Sequence, residues 1–483
     1  MMRELIILSP ELILVLLAGG ILCLSLFTSR AIAQRFMPLL AVSGLVVLLF
    51  LVGGRWIPSG TAIGGSYSTH ALSQVFKTIF ILADLLTVLL SWPRSDQPED
   101  RSEEHLGEYL ALLHLSMAGM CLLASARDLV LLYVSLELVT MPLILLVAFR
   151  RQELRSAEAA LKYVFFSALA SGLLLYGLSL VYGLTGSMNI QQCASRLTPG
   201  PLTTLALALC FAGVGFKMSA APFHLWTPDT YEGAPIPVTA FISVASKAAG
   251  FVLFYQLIIG VFGADPRLLE TLVATLAALT MTIGNLVALF QTNLKRFLAY
   301  SSIAQAGYLM IGLVNPELLG VTSVAFYLLV YVVSNIAAFT VVNLIARETG
   351  REEMQDYVGL SQTNPFLAAV MMLAMFSLAG IPPLAGFLGK FYLFAAAAEK
   401  GLYWLVLVGA INATISLFYY LLVIKWMYIV KPATPESLID KVPLSLPGGV
   451  LLVSTSMAMV LIGLIPQFLH WIEESVLLAR TGF

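Results

Sequence analysis

Charge is scarce in this sequence: Asp, Glu, Lys and Arg make up 11% of its 483 residues, under half of the roughly 25% usual in soluble domains. Together with 59% hydrophobic residues, that shortage excludes a water-soluble globular protein. Cysteine is scarce as well. Cys23, Cys121, Cys193 and Cys210 form no C-x-x-C pair, which excludes the usual zinc and redox-dithiol spacings; each falls in or near an apolar run, where a small core residue is expected. The dispersed histidines, among them His114 and His224, lack the i, i+3 or i, i+4 spacing that builds a metal site. No phosphate loop, G-x-G-x-x-G or G-x-S-x-G occurs, so any redox or hydrolytic centre is expected on other chains. A formal net charge of −1 leaves no basic footprint for nucleic acid.

What the chain has in abundance is apolar runs of about 20 residues, the length that crosses a bilayer as a helix. The longest polar stretch, PRSDQPEDRSEEH at 93–105, is too short to bury a core of its own. The first run, 5–27, is not read as a signal peptide: Met-Met-Arg-Glu has no net positive charge, and Arg30 and Arg35 follow the run. Runs without period-2 alternation must be helices, because lipid cannot pair a bare peptide group. Spans are predicted at 5–27, 36–54, 71–92, 106–125, 128–149, 160–184, 203–222, 237–262, 270–290, 297–314, 321–346, 366–396, 402–430 and 446–470. The fold class is therefore an all-α polytopic membrane protein of about 14 transmembrane helices. With the N-terminus outside, 13 basic residues fall on the inner side and 7 on the outer, of 26 in all; the positive-inside rule then puts both termini outside.

The other six basic residues lie within spans, and all are lysines: Lys77, Lys162, Lys217, Lys247, Lys390 and Lys425. Lysine, unlike arginine, can give up its proton when buried. Lys77 and Lys425 lie within about six residues of a span end and are expected to snorkel. Lys162 starts near a surface and can point either way. Glu137 lies about nine residues into its helix, roughly 14 Å, and Lys247 about ten residues, roughly 15 Å, so neither reaches water. A static ion pair that only orders the bundle is the competing reading for Glu137, Lys217 and Lys247. Glu11 and Asp84 are buried acids to which the sequence assigns no partner.

Lys217 sits in GVGFKMSAAPFHLW, at 213–226. Pro222 has no N–H for the carbonyl of Met218, so the helix is expected to break there. In SLAGIPPLAGFLGKFYLF, Pro382 and Pro383 free the carbonyls of Leu378 and Ala379, with Lys390 about two turns on. The interrupted spans are seventh and twelfth, an odd separation, which predicts two inverted five-helix repeats, each with a broken helix. Lys217 precedes its proline and Lys390 follows its own, so the expected repeat is one of architecture rather than of sequence register. The segments are 1–105 (three helices and the polar loop), 106–262 (first repeat), 263–430 (second repeat) and 431–483 (last helix and tail). Burial favours the neutral amine, and a carboxylate at 4 Å returns about 4 kcal/mol at an effective dielectric of 20. Glu137 nearing or leaving Lys217 would thus switch it between holding and releasing a proton. His224 could relay that proton toward Lys247; a loop histidine bound to a backbone carbonyl would look the same in sequence.

The stretches YVSLELVTMPLILL, EAALKYVFFSALASGLLLYG, GFKMSAAPFHLWTPDTYEGAP, VTAFISVASKAAGF, NLKRFLAYSSIAQAGYLMIGL and LAGIPPLAGFLGKFYLF resemble the antiporter-like subunits of proton-pumping NADH-quinone oxidoreductase, respiratory complex I. The resemblance covers essentially the whole chain. It implies a proton path through Glu137, Lys217, Lys247 and Lys390, with Lys162, His224, Pro222, Pro382 and Pro383 in support. It implies FMN and iron–sulfur clusters on partner subunits and none on this chain, quinone as substrate of the whole complex, and other membrane and peripheral subunits as partners. Of the three antiporter-like types, N resembles the chain most: type M typically has Glu where Lys390 stands, and type L ends in a long lateral helix. A bacterial plasma membrane is the expected location. A subunit of a multi-chain sodium/proton antiporter and one of a membrane-bound hydrogenase complex remain as alternatives, since both share the buried lysines.

Overall fold

Inside hydrocarbon an isolated chain can pair its peptide groups only within a helix, and helices carry this chain from end to end. The computed structural model describes residues 2–93, 105–150, 152–263, 266–432, 438–465 and 467–481. The inner part of the polar stretch at 93–105 lies outside them. Helices α1 to α11 are Ser9–Phe27, Arg30–Gly53, Ala71–Leu90, Leu106–Ala124, Leu129–Val147, Leu154–Thr185, Pro201–Met218, Ile236–Phe262, Pro266–Ala288, Leu294–Leu313 and Leu318–Thr349. Then come α12 (Pro365–Ala379), α13 (Ala385–Glu399), α14 (Tyr403–Tyr428), α15 (Leu446–Leu464) and α16 (Gln467–Thr481).

Among the described residues, twelve helices are long and apolar enough to cross a membrane. The two further spans expected from the sequence correspond to α10, whose 20 residues carry polar groups all along, and to the half-helices α12 and α13. The expected last span, 446–470, is shorter than predicted. It ends at Leu464, and a separate helix, α16, follows, tied down by Arg55, which donates to Trp471 O at 2.8 Å and Ser475 Oγ at 2.5 Å. The apolar pattern ran on past Leu464 because α16 is amphipathic, and one apolar face looks like more span.

α8 and α11 form the centre, buried over 100% and 94% of their apolar windows, whereas α1, α2, α6 and α15 are a third buried or less and form the rim. α9 and α10 touch backbone to backbone. A Cβ on Gly284 would stand 2.5 Å from Ala304 N, and one on Gly307 the same distance from Met281 N, so only glycine permits this approach.

Two stretches of the chain repeat the same local devices in the same order. Asp128 caps α5 by accepting from Leu131 N at 2.6 Å, and Asn293 caps α10 by accepting from Lys295 N at 2.9 Å. Each cap residue also forms an antiparallel bridge, Asp128 with Asn189 and Asn293 with Glu353. α6 and α11 are both 32 residues long, follow an extended glutamate (Glu153, Glu317) and end on a left-handed glycine (Gly186, Gly350). α7 and α12 then end on left-handed Ser219 and Gly380, with Pro222 and Pro383 three residues on. The match that residue reading found weak lies in caps and stops.

The N-terminal helices correct three expectations. Lys77 does not snorkel: its side chain is 0% exposed and pairs with Glu11 at 2.7 Å, while its Nζ donates to Tyr67 Oη at 2.6 Å. Glu11 and Asp84 are not partnerless, because Asp84 Oδ2 lies 2.8 Å from His114 Nδ1. Sequence distance hid both pairs; α1, α3, α4 and the Gly60–Thr69 hairpin that supplies Tyr67 bring them together. Lys425 is exposed near the end of α14, as expected of a snorkelling lysine.

Candidate functional site

α7 stops one residue after Lys217 because Ser219 turns left-handed (φ 60°) and Pro222 cannot continue a helix. The carbonyls released at the break are taken inside the protein. Phe216 O accepts from Trp226 Nε1 and Ser219 N, both at 3.0 Å, and Gly215 O accepts from Ala220 N at 2.8 Å. Lys217, 2% exposed, is thereby fixed beside the break, and its Nζ donates to Thr140 Oγ1 at 3.0 Å.

Thr140 and Glu137 are three residues apart on α5 and share a face. Glu137 and Lys217 line one cavity between α5, α6 and α7 that leaves ≈ 20 Å³ for water centres, room for about one water. They do not touch. The Glu137 carboxylate accepts instead from the Ser171 hydroxyl, which pairs with Tyr133 Oη at 2.8 Å. Glu137 is also partly exposed, at the edge of the bundle rather than in its centre.

Lys247 follows a π-helical turn, Ile242–Ser246, a distortion of the kind that gathers at functional sites. It is 2% exposed; its Nζ donates to Ser302 Oγ at 2.6 Å and lies 5.8 Å from the Tyr231 ring centre. One turn away, Gly250 lets α8 lie on the end of α7: a Cβ there would stand 3.1 Å from Lys217 C and Met218 N. His224, in the break, is buried, hydrogen-bonded to the Pro222 backbone and within electrostatic reach of Lys247, with its Nδ1 unpaired.

At the second break both carbonyls that the prolines were expected to free are taken by side chains. Ala379 O accepts from Lys390 Nζ, and Leu378 O from Gln305 Nε2, both at 3.0 Å. Lys390 lies 4.5 Å from the Tyr308 ring centre. Pro222, Pro382 and Pro383 face outward and act only through the backbone they interrupt.

Between Lys247 and Lys390 lies α10, on which the sequence reading assigned no site residue. Its Ser302 holds Lys247; Ser301 Oγ meets Tyr420 Oη at 2.6 Å; Gln305 reaches Leu378 O, Tyr420 Oη at 3.1 Å and Tyr327 Oη. Tyr308 lies beside Lys390 and accepts from Asn285 Nδ2 at 3.2 Å. The signal was present: Ser301, Gln305 and Tyr308 recur at i, i+4 and i+7, one polar face inside an apolar run.

Lys162 stands apart. Its side chain is 40% exposed and bonds to Glu158 at 2.8 Å and Asp229 at 2.7 Å; Asp229 also takes Arg296 at 2.9 Å, and Arg296 reaches Glu232 at 2.7 Å. Partial burial pushes the Asp229 carboxyl up, but the hydrogen bonds from Lys162 and Arg296 outweigh it and hold it below the usual carboxylate range.

One chemical difference separates these amines. Lys77, Lys162, Lys295 and Lys400 each sit on a carboxylate within 3.0 Å. Lys217, Lys247 and Lys390 sit on a neutral hydroxyl or carbonyl. A carboxylate partner locks an amine in its charged form, whereas a neutral acceptor accommodates either charge state through modest rearrangement.

Residues 126–416 match the family model described as NADH:quinone oxidoreductase/Mrp antiporter, TM. The chain is 42% identical over 439 residues, covering 90% of each, to NADH-quinone oxidoreductase subunit N of Desulforamulus reducens. It is similar to a chain of respiratory complex I from Thermus thermophilus, with a TM-score of 0.80, 33% identity and coverage of 95% of this chain and 97% of that one. A chain of the Mrp complex from a Dietzia species shares the fold alone, with a TM-score of 0.84, 21% identity and coverage of 99% and 97%.

Proposed function

The chain belongs to the NADH:quinone oxidoreductase/Mrp antiporter family, and on that premise we propose that it is the proton-translocating, N-type membrane subunit of an NADH-quinone oxidoreductase. The observation that carries the proposal is the one just drawn: three amines at most 4% exposed, each bonded to a neutral group. A bundle built only to be held by ion pairs would keep them on carboxylates, as it keeps Lys77.

In this reading a proton enters by way of Glu137 and the water-sized cavity to Lys217. It passes through His224 to Lys247, then along Ser302, Gln305 and the tyrosines of the α10 face to Lys390. The outward prolines keep the two breaks open. Oxidation of NADH and reduction of quinone belong to partner subunits carrying FMN and iron–sulfur clusters; this chain carries the proton step. Moving one charge against 100 mV costs about 2.3 kcal/mol, which those partners must deliver.

We also propose that 106–262 and 263–430 are inverted repeats, flanked by 1–105 and 431–483. The paired caps at Asp128 and Asn293, the paired 32-residue helices and the paired stops at Ser219 and Gly380 support that division. The membrane is taken to be a bacterial plasma membrane with both termini outside, from the 13 to 7 split of basic residues.

The test is the assembled complex in closed vesicles, with NADH oxidation and proton uptake followed together. Lys217→Ala is expected to assemble and lose most proton uptake. Near-normal uptake in assembled Lys217→Ala overturns the proposal. Uptake that depends on sodium instead supports the antiporter reading that the shared Mrp fold allows.

A further inference from the structure

α3 carries a second set of ionisable side chains that the proposed path does not use. Lys77, Asp84 and Ser91 recur every seven residues, two turns apart on one face. Each meets a polar group from another element: Lys77 with Glu11 at 2.7 Å, Asp84 Oδ2 with His114 Nδ1 at 2.8 Å, and Ser91 Oγ with Tyr109 Oη at 2.8 Å. The column runs nearly the whole length of the helix and lies against α4 and α8, the second of which bears Lys247.

Its middle is chemically incomplete. Asp84 and His114 are 0% exposed, and Asp84 Oδ1, His114 Nε2 and, further along, Glu11 Oε2 are buried without any hydrogen-bond partner. Buried polar atoms are almost always satisfied, and three orphans in one column mark places that water or a proton fills. An ionised carboxylate at 2.8 Å can only accept, so with Asp84 ionised the tautomer follows. Nδ1–H of His114 donates to the carboxylate, so the neutral imidazole turns a bare lone pair at Nε2 toward no donor.

We infer that Asp84 and His114 form a second proton-binding site, reached by internal water along this face of α3 and separate from the Lys217, Lys247 and Lys390 line. Water delivers the proton to His114 Nε2 and takes it away again. Asp84 stays ionised and keeps the Nδ1–H bond in both states, so the couple alternates between a net charge of minus one and zero. The packed elements carry Tyr109 and Cys121 on α4, both within reach of the Asp84 charge, the Glu11–Lys77 pair, Lys247 on α8 and Glu137 on α5, which bond Ser302 and Ser171 instead, and Arg347 on α11, which donates to Trp92 O at 3.3 Å. Glu11 and Lys77 cancel each other, which leaves Asp84 as the nearest lasting counter-charge for His114.

The test is isotope-edited infrared difference spectroscopy of the intact, histidine-labelled complex between alkaline and acidic buffer. Wild type is expected to show an imidazole-to-imidazolium signal that is lost in His114→Gln and retained in Lys217→Ala. Asp84→Asn, which removes the adjacent charge, should weaken or abolish that signal, whereas Asp84→Glu, which keeps it, should retain it. A signal unchanged in assembled His114→Gln overturns the inference, and so does a wild-type spectrum with no buried-histidine signal. If His114→Gln does not assemble, Asp84→Asn and Asp84→Glu decide: a signal unchanged in Asp84→Asn, or lost equally in both, overturns it. Because Lys217→Ala is the control, failure of this site and failure of the transport proposal give different results.

Discussion

If a neutral partner is what lets Lys217 change charge, then giving it a carboxylate should freeze it. Thr140→Asp places that carboxylate where the hydroxyl now lies, 3.0 Å from Nζ. At an effective dielectric of 20, opposite charges at that distance attract by about 5 kcal/mol. Taking a further charge out of water returns part of this, and about 2–3 kcal/mol of extra hold on the proton remains, a slowing of roughly 30- to 150-fold. Thr140→Asn has nearly the same shape as Asp and no charge, so it should pump within a few-fold of wild type. The assay is the ratio of protons taken up to NADH oxidised in closed vesicles, with assembly checked on native gels. Equal pumping by the Asp and Asn variants, both assembled, would refute the reasoning, because charge on the partner would then not matter.

Four further outcomes follow from distances and burial already given. Glu137→Ala should assemble, keep the redox reaction with an artificial acceptor, and lose most proton uptake measured by dye quenching. Lys77→Met leaves a buried carboxylate unpaired and should destabilise the complex by about 3–5 kcal/mol, while the double variant Lys77→Met/Glu11→Gln should recover most of that in thermal melts. Gly386→Ala would put a Cβ 1.7 Å from Ser377 O, an overlap costing at least ~3 kcal/mol and visible as lost assembly, whereas Gly19→Ala meets open space and should be silent. Asp229 has a lowered carboxyl value, so its stabilisation is fully present above the ordinary carboxylate range and lost as pH falls through the lowered value. Protection from hydrogen exchange over Trp226–Gly233, taken relative to the intrinsic rate at each pH, should accordingly fall in acid and not in alkali, by less than about 1 kcal/mol for so exposed a cluster, and Asp229→Asn should reduce that dependence.

Much of the bundle was legible because hydrocarbon imposes so few choices. Length, apolarity and proline placed most of the spans within a few residues and the second break at the right carbonyls, Leu378 and Ala379; at the first, Met218 was expected, whereas the carbonyls that find new donors are Gly215 and Phe216. Other features depended on information a linear reading does not hold. Lys77 lay near a span end and was assigned to the surface, yet Glu11 and Tyr67 draw it inward from 66 and ten positions away. The paired stops after α7 and α12 were invisible as letters because a serine in one half does the work of a glycine in the other; only the sign of φ reveals the equivalence. α10 was treated as one more apolar run, since its serines, glutamine and tyrosines stand singly among apolar residues and a linear reading does not show that they share one face. That Glu137 borders the bundle rather than its centre could not be read from depth along the helix, because depth fixes height and not direction.

The polar character of α10 reaches back to how the chain is made. A helix too hydrophilic to leave the translocon by itself needs a companion that already favours lipid. α9 is that companion: it precedes α10 directly and presents a broad apolar rim to the bilayer. Its Gly284 and the Gly307 of α10 allow the two backbones to meet with no side chain between them. The pair should therefore enter the membrane as one hairpin during synthesis, leaving the polar face of α10 to be closed by α11, α12 and α14, whose Tyr327, Leu378 and Tyr420 it bonds.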